Sequence, residues 1–112
     1  MNIEELKELI KLSESEQLEF KLSTGQRTEA AKTVCAMLNT SGGFLLFGID
    51  DNRNIKGQQV SSKTLESIAG EIRRIEPPAY PDIETVHIND NLNVIALRVP
   101  GGGGPYIYDG RP

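Results

Sequence analysis

Acidic residues at two places along the chain have the types and spacing to take part in chemistry. Glu14 and Glu19 lie around a short alternating segment, and Asp50 and Asp51 directly follow an apolar run. Carboxylate oxygens suit Mg²⁺ or Mn²⁺, and a bound divalent ion can activate water for attack on a phosphodiester. Glu14, Glu19 and Asp51 are therefore candidate catalytic residues, and the same three with Asp50 are candidate metal ligands. The alternative is that all are ordinary solvated acids at the ends of strands and helices.

Two predicted strands would bring these carboxylates together. Apolar side chains alternate at Leu18, Phe20 and Leu22. This pattern predicts a strand with one buried face and with Glu19 and Lys21 together on the other face. The unbroken apolar run 43–49 predicts a central strand that is covered on both sides. Since ligands bind beyond the carboxyl ends of strands in open α/β sheets, the predicted site lies at the end of this run.

The rest of the chain predicts further helices and strands around this pair. Apolar residues at helical spacing predict helices over residues 2–12, 27–38 and about 61–75. Alternating patterns predict a short strand at 55–57, a hairpin of 82–88 with 92–99, and a last strand at 106–108. The predicted fold class is α/β of the α+β kind, a single domain over residues 1–112. It has a mixed β-sheet with two or three packed helices.

Basic residues are scattered along the chain. If they gather on one surface, they contact nucleic-acid phosphates; if they stay dispersed, they are a solvated surface. The candidate nucleic-acid-binding residues are Lys21, Arg53, Lys56, Arg73, Arg74 and Arg98. For Lys21 the alternative is a pairing with acids across its own strand.

The overall composition limits the classes of function. A net charge of -4 argues against a broadly basic nucleic-acid-binding surface. It leaves room for a local one, because six of the sixteen acids fall in the first nineteen positions. The single Cys35 excludes an intramolecular disulfide and fits a reducing compartment. The N-terminus has no secretory pattern, and no apolar run approaches the roughly 20 residues of a membrane span. We therefore expect a cytoplasmic protein without a membrane partner.

Glycine and tyrosine motifs each permit two interpretations. Gly42 and Gly43 either cradle a phosphate or, more commonly after a helix, form its C-terminal cap. No G-x-x-x-x-G-K-[ST] motif occurs, so no ATP site is predicted in this segment. Tyr106 and Tyr108 either stack on bases or pack at a sheet edge.

Four segments, taken in order, carry a family resemblance. They are Glu14-Ser15-x-x-Leu18-Glu19-Phe20-Lys21, then Asn39-Thr40-x-Gly42-Gly43-x-Leu45-x-x-Gly48-Ile49-Asp50-Asp51, then Ile55-x-Gly57, and finally Tyr106-Ile107-Tyr108-x-Gly110-Arg111-Pro112. Together they resemble the Schlafen AlbA domain family. Its bacterial members include proteins described as transcriptional regulators and relatives of the ATP-dependent DNA helicase RecG.

The resemblance implies an α/β domain that binds nucleic acid, DNA in preference to RNA, within such a regulator or RecG-related helicase-like protein. In the eukaryotic Schlafen branch it also implies a metal-dependent endoribonuclease. The three carboxylates of that activity would fall on Glu14, Glu19 and the pair of Asp50 and Asp51, with Asp51 the better fit. Binding is the leading hypothesis for this chain.

Two other hypotheses stay open at this point. The second is a divalent-metal-dependent endonuclease that acts on RNA or DNA through the carboxylate cluster. The third is a protein-interaction or homo-oligomerisation domain, favoured by the acidic net charge and by an exposed strand edge expected at 106–108. Because the last predicted strand has no partner before Pro112, we expect the chain to be an N-terminal piece of a longer protein with further domains.

Overall fold

A computed structural model describes residues 1–110. Its helices are α1 (Ile3–Ile10), α2 (Arg27–Leu38) and α3 (Ser62–Ile72), and a 3₁₀ turn covers Thr24–Gln26. Its strands are β1 (Leu18–Lys21), β2 (Gly43–Phe47), β3 (Ile75–Glu76), β4 (Asp82–Asn89), β5 (Leu92–Val99) and β6 (Ile107–Tyr108). Arg111 and Pro112, the end of the last family-like segment, lie outside the described residues.

Four of the strands form a mixed sheet in the order β1-β2-β5-β4. β1 and β2 run parallel, because α2 carries the chain back over the sheet between them. β5 is antiparallel to both β2 and β4, and β4 and β5 form the predicted hairpin. β3 and β6 pair in a separate two-stranded sheet. The predicted α+β class with a mixed sheet is confirmed.

Helices cover both faces of the four-stranded sheet. On one face, α2 and α3 pack over β2 and β5, and the small Ala30 and Ala31 let α2 lie close to the strands. On the other face, Leu6 and Ile10 of α1 pack over Leu18, Leu46 and their neighbours. β2 is therefore covered on both sides, as its unbroken apolar run predicts.

Side-chain caps begin two of the helices. Asn2 accepts the backbone N–H of Glu5 and the Glu5 carboxylate accepts that of Asn2, which closes a capping box at α1. Ser61 and Thr64 do the same at α3, so Ser61 is the N-cap of that helix, which begins at Ser62. α3 ends at Ile72, earlier than predicted, because the chain turns into β3 before the prolines.

Three sequence predictions about the strands are wrong. β1 ends at Lys21, so Leu22 leaves the sheet and its side chain is 53% exposed rather than buried. Residues 55–57 form no strand; Ile55 makes one isolated bridge to Ile49, and the next two amides donate to the Gly48 carbonyl. The last strand is shorter than predicted: β6 covers Ile107–Tyr108, pairs with β3 along one edge and buries Tyr108.

Among residues 1–110, no helix is both long and apolar enough to cross a membrane.

Candidate functional site

A cleft of about 330 Å³ lies where the parallel strands β1 and β2 end. The backbone builds this end of the sheet, because the amides of Gly48 and Ile49 donate to the Lys21 carbonyl at 2.7 and 3.2 Å. These bonds hold the start of the Asp50 turn beside the end of β1. The cleft is lined by Glu14, Glu19, Phe20, Lys21, Leu22, Gln26, Asp50 and Asp51. The structure therefore brings all four carboxylates chosen from the sequence to one cleft.

Glu14 has a structural role in this arrangement. Its Oε2 atom accepts the outward backbone N–H of Phe20 at 3.0 Å. The next outward amide on this edge, that of Leu22, donates to Gln26 Oε1 at 2.9 Å, and the Leu18 amide donates to the Ser15 carbonyl. The amides along the outer edge of β1 are thus satisfied from within the chain. One of the two Glu14 carboxylate oxygens is therefore engaged in the hydrogen bond from the Phe20 amide.

Glu19 is a partly buried carboxylate that lies beside Glu14 and Lys21. Burial raises its pKa, and a hydrogen bond with Glu14 together with the repulsion between the two carboxylates raises it further. Lys21 acts in the opposite direction, since its Nζ lies 3.7 Å from Glu19 Oε1. Glu14 and Glu19 therefore form a closely spaced pair that favours a proton or a cation between them.

The two aspartates differ in how much of their carboxylate remains available. Asp50 Oδ1 accepts the backbone amides of Asn52 and Asn54, and Oδ2 accepts the Asn54 side-chain amide. These bonds, led by that from the Asn54 backbone, lower the pKa of Asp50 and commit it to the turn. Asp51 is exposed at the cleft, and its carboxylate accepts no hydrogen bond from residues 1–110.

The arrangement does not form a closed metal site. Within the described part of the chain, no three Asp, Glu, His or Cys side chains form a group that could hold an ion. The pair of Glu14 and Glu19 still offers hard oxygen ligands. Mg²⁺ is commonly held by one or two carboxylates, with waters and substrate phosphates completing its shell, so a pair is sufficient for that mode of binding.

One of the six basic candidates lines this cleft, and two more lie in or next to the turn that begins at Asp50. Lys21 lines it beside Glu19. Lys56 is exposed and close enough to Asp50 to help lower the pKa of that carboxyl. Arg53 ties the turn to the end of α1, since its Nη1 donates to Ser13 Oγ at 2.7 Å.

The other three lie elsewhere, so the structure does not gather all six into one patch. Arg74 forms ion pairs with Asp109 and Glu71 and lies over the Tyr108 ring. Arg73 is exposed at the end of α3. Arg98 lies opposite Phe44, at the start of β2 and therefore at the far end of the sheet from the carboxylates.

Sequence reasoning missed one contributor to the cleft and misjudged another residue. Gln26 was not singled out from the sequence, yet its side chain accepts the Leu22 amide and lines the cleft. Tyr108, considered for base stacking, is buried and donates its hydroxyl to Glu71 Oε2 at 2.8 Å. Cys35 belongs to the core, and burial raises the pKa of its thiol.

Replacing Glu14 tests its role at the strand edge. Glu14→Ala removes the acceptor of the Phe20 amide, and we expect it to lower the free energy of unfolding by about 1 kcal/mol. Glu14→Gln keeps an acceptor oxygen at the same reach, so we expect a smaller loss. Urea unfolding of both variants measures the difference. Equal losses would contradict the edge-capping role.

The raised pKa of Glu19 predicts a pH dependence of stability. The folded chain holds this proton to higher pH than the unfolded chain does. The stabilisation is therefore complete below the unfolded pKa and is lost as pH rises through the folded pKa. As pH rises above about 4, the ordinary pKa of a glutamate, we expect the melting temperature of the wild type to fall relative to that of Glu19→Gln. Parallel curves for the two proteins would contradict the perturbed carboxyl.

The fold and the cleft define a class of domain. It has a small mixed sheet with a β-α-β crossover, and acidic residues lie where the two parallel strands of that crossover end. The sequence matches the Schlafen, AlbA_2 family over residues 14–110. Since that match covers most of the chain, the protein belongs to the Schlafen AlbA_2 family, as its four motif segments predicted.

Two solved structures share the fold. One is the solution structure of the N-terminal domain of an ATP-dependent DNA helicase RecG-related protein from Nitrosomonas europaea. It superposes with a TM-score of 0.68 at 22% identity, over 86% of this chain and 70% of that one. The other is the DIP2311 protein from Corynebacterium diphtheriae, with a TM-score of 0.62 at 18% identity. That match covers 96% of this chain but only 23% of the Corynebacterium chain.

Proposed function

We propose that this domain binds nucleic acid, DNA in preference to RNA, as a module of a longer transcriptional regulator or RecG-related helicase-like protein. The observation that carries the proposal is the cleft at the ends of β1 and β2, where four acids meet Lys21 and where Lys56 lies near Asp50. Membership of the Schlafen AlbA_2 family and a fold shared with part of a helicase-related protein support it.

The charges around the cleft suit a polyanion that arrives with counter-ions. Lys21 and Lys56 supply positive charge for phosphate contacts, while Glu14 and Glu19 repel phosphates unless a proton or cation lies between them. A divalent ion held by these two carboxylates would offset that repulsion. We therefore expect binding that weakens with salt and strengthens with Mn²⁺.

A binding titration tests the proposal. Labelled single- and double-stranded DNA and RNA are titrated with the domain at two salt concentrations, with and without Mn²⁺, and both binding and product length are recorded. The double variant Lys21→Gln/Lys56→Gln is expected to weaken binding and to reduce the salt slope by about two, roughly one for each phosphate contact. Lys7→Gln/Lys63→Gln removes the same charge from α1 and α3 and serves as the control.

Two results would overturn this proposal. One is that the wild type binds none of the four nucleic acids at low salt. The other is that the control pair weakens binding as much as the cleft pair, because binding would then depend on net charge alone.

A second candidate function is a metal-dependent nuclease. The specific observation that favours it is the pairing of Glu14 and Glu19 beside the available carboxylate of Asp51. Glu14 and Glu19, with Asp51 beside them in the cleft, would hold Mg²⁺ or Mn²⁺ together with waters and the substrate phosphate, and the ion would supply an activated water and charge stabilisation at a phosphodiester. Glu14→Gln, Glu19→Gln and Asp51→Asn combined keep side-chain size. Metal-dependent cleavage undiminished in this triple variant would refute the nuclease, and shortened products that vanish in it would support it.

A further inference from the structure

The aromatic ring of Tyr80 is exposed to solvent and is not part of the core. Its side chain is 84% exposed, whereas Phe20, Phe47 and Tyr108 are buried. The ring lies in the segment between β3 and β4, outside the helices and strands. A fully hydrated aromatic ring gains nothing from folding, so it is available to a partner.

Prolines on both sides hold this tyrosine in place. Pro77 and Pro78 precede it and Pro81 follows it, so three of the six prolines of the chain lie within five residues. Proline fixes its own φ and restricts the residue before it to extended conformations. A ring presented on such a backbone loses little conformational entropy when it binds a ligand.

Tyr80 borders a second cleft, of about 360 Å³. The cleft is lined by Ser41, Tyr80, Asp82, Arg98, Val99, Pro100 and Gly101. It lies at the amino end of β2, because Arg98 is opposite Phe44, and is therefore separate from the carboxylate cleft at the other end of that strand.

Arg98 is the cation of this cleft. The guanidinium carbon of Arg98 lies 6.0 Å from the centre of the Phe44 ring, so the Arg98 side chain lies over this ring. Asp82 is its direct neighbour across the strands, yet among residues 1–110 Arg98 forms no ion pair. By contrast, Arg74 is committed to Glu71 and Asp109. The N–H groups of the Arg98 guanidinium are thus available to donate hydrogen bonds to a ligand anion.

We propose that Tyr80 and Arg98 form a contact site for single-stranded nucleic acid, in which the tyrosine ring stacks on a base and the guanidinium contacts a phosphate. This inference rests on the proposed function and names the strand state that it selects. An exposed aromatic ring beside a cation is the arrangement that single-strand binders use, and stacking requires a base that is not already paired and stacked within a duplex. The carboxylate cleft and this site would then contact the ligand at opposite ends of β2.

Salt dependence separates the two contacts. Tyr80→Ala is expected to weaken binding of a single-stranded oligonucleotide about tenfold, with the salt slope unchanged, because stacking is not ionic. Arg98→Gln is expected to weaken it and to reduce the salt slope by about one. Tyr80→Phe keeps the ring and is expected to bind as the wild type does. Duplex binding is expected to change little in Tyr80→Ala.

Fluorescence tests the stacking itself. The chain contains no tryptophan, so Tyr80→Trp introduces a single indole at the site. Stacking on a base is expected to quench this fluorescence, with the same midpoint as the binding curve. Poly-deoxyuridine and poly-uridine oligonucleotides differ only in the sugar and serve as separate probes, and the lower midpoint identifies the sugar that the site prefers.

The outcomes for this site and for the proposed function are distinguishable. If the wild type binds no nucleic acid, both are overturned. If the wild type binds but Tyr80→Ala binds single strands equally well, or Tyr80→Trp is not quenched at saturation, only the stacking site is overturned. Circular dichroism of each variant controls for folding, and the exposure of Tyr80 predicts that its variants fold normally.

Discussion

Phe47→Ala is expected to lower the free energy of unfolding by about 3–5 kcal/mol, because it removes most of a buried aromatic side chain from a packed core. Phe47 is 0% exposed and is the last residue of β2, opposite Lys21 of β1. Its ring packs in the core beneath α2 and α3. The same residue therefore anchors the core and the end of the sheet that carries the carboxylate cleft.

Urea unfolding measures this loss. Leu22→Ala is the matched control, since Leu22 borders the same cleft but is largely exposed, and we expect its effect to stay within about 0.5 kcal/mol. A domain of this size has about 5–15 kcal/mol of stability, so Phe47→Ala is expected to remove a large share of it. Phe47→Leu keeps an apolar group and should give a measurable intermediate loss. Equal stability of Phe47→Ala and Leu22→Ala would refute this account of the core.

Gly42→Ala is expected to be almost as damaging, for two separate reasons. Gly42 has a φ of +74°, a left-handed conformation that costs an L-residue about 1–2 kcal/mol. An added Cβ would also lie 2.3 Å from the Val99 carbonyl oxygen, a backbone atom that has little room to move. Overpacking of this kind adds about 1–3 kcal/mol. The total expected loss is therefore about 2–5 kcal/mol.

Gly102 separates the two costs. Its φ of +79° is nearly that of Gly42, but an added Cβ would meet nothing within 4 Å. Gly102→Ala should therefore lose only the conformational part, about 1–2 kcal/mol. Thermal unfolding of the two variants gives the steric part as their difference. If both variants lose the same amount, the close approach of the Gly42 backbone to β5 is not what requires glycine there.

Local patterns in the sequence predicted most of the fold. The apolar run 43–49, the helical spacing over 27–38 and the alternating hairpin of 82–88 with 92–99 are each local patterns, and each corresponds to an element of the structure. Where prediction failed, hydrogen bonds of the folded chain decided the outcome. The Leu22 amide donates to the Gln26 side chain rather than to a strand, and the amides of Lys56 and Gly57 both donate to the Gly48 carbonyl rather than pairing as a strand.

The candidate site was predictable in its members but not in their roles. Strand ends and family motifs pointed to Glu14, Glu19, Asp50 and Asp51. They could not reveal that one oxygen of Glu14 caps Phe20 or that Asp50 is committed to its turn, because those bonds depend on the folded backbone. The antiparallel direction of β5 also places Arg98 far from the carboxylates, which no spacing along the chain indicates.

The two edge strands of the four-stranded sheet, β1 and β4, differ in how they would pair with an additional strand. The outer amides of β1 are already bonded by Ser15, Glu14 and Gln26, so an incoming chain would have to displace them. β4, the opposite border, carries the charged Asp82 and Glu84 and an irregular register after His87, both of which discourage lateral pairing. Growth of the sheet by strand addition is therefore blocked on one side and disfavoured on the other, which protects the domain against edge-to-edge aggregation.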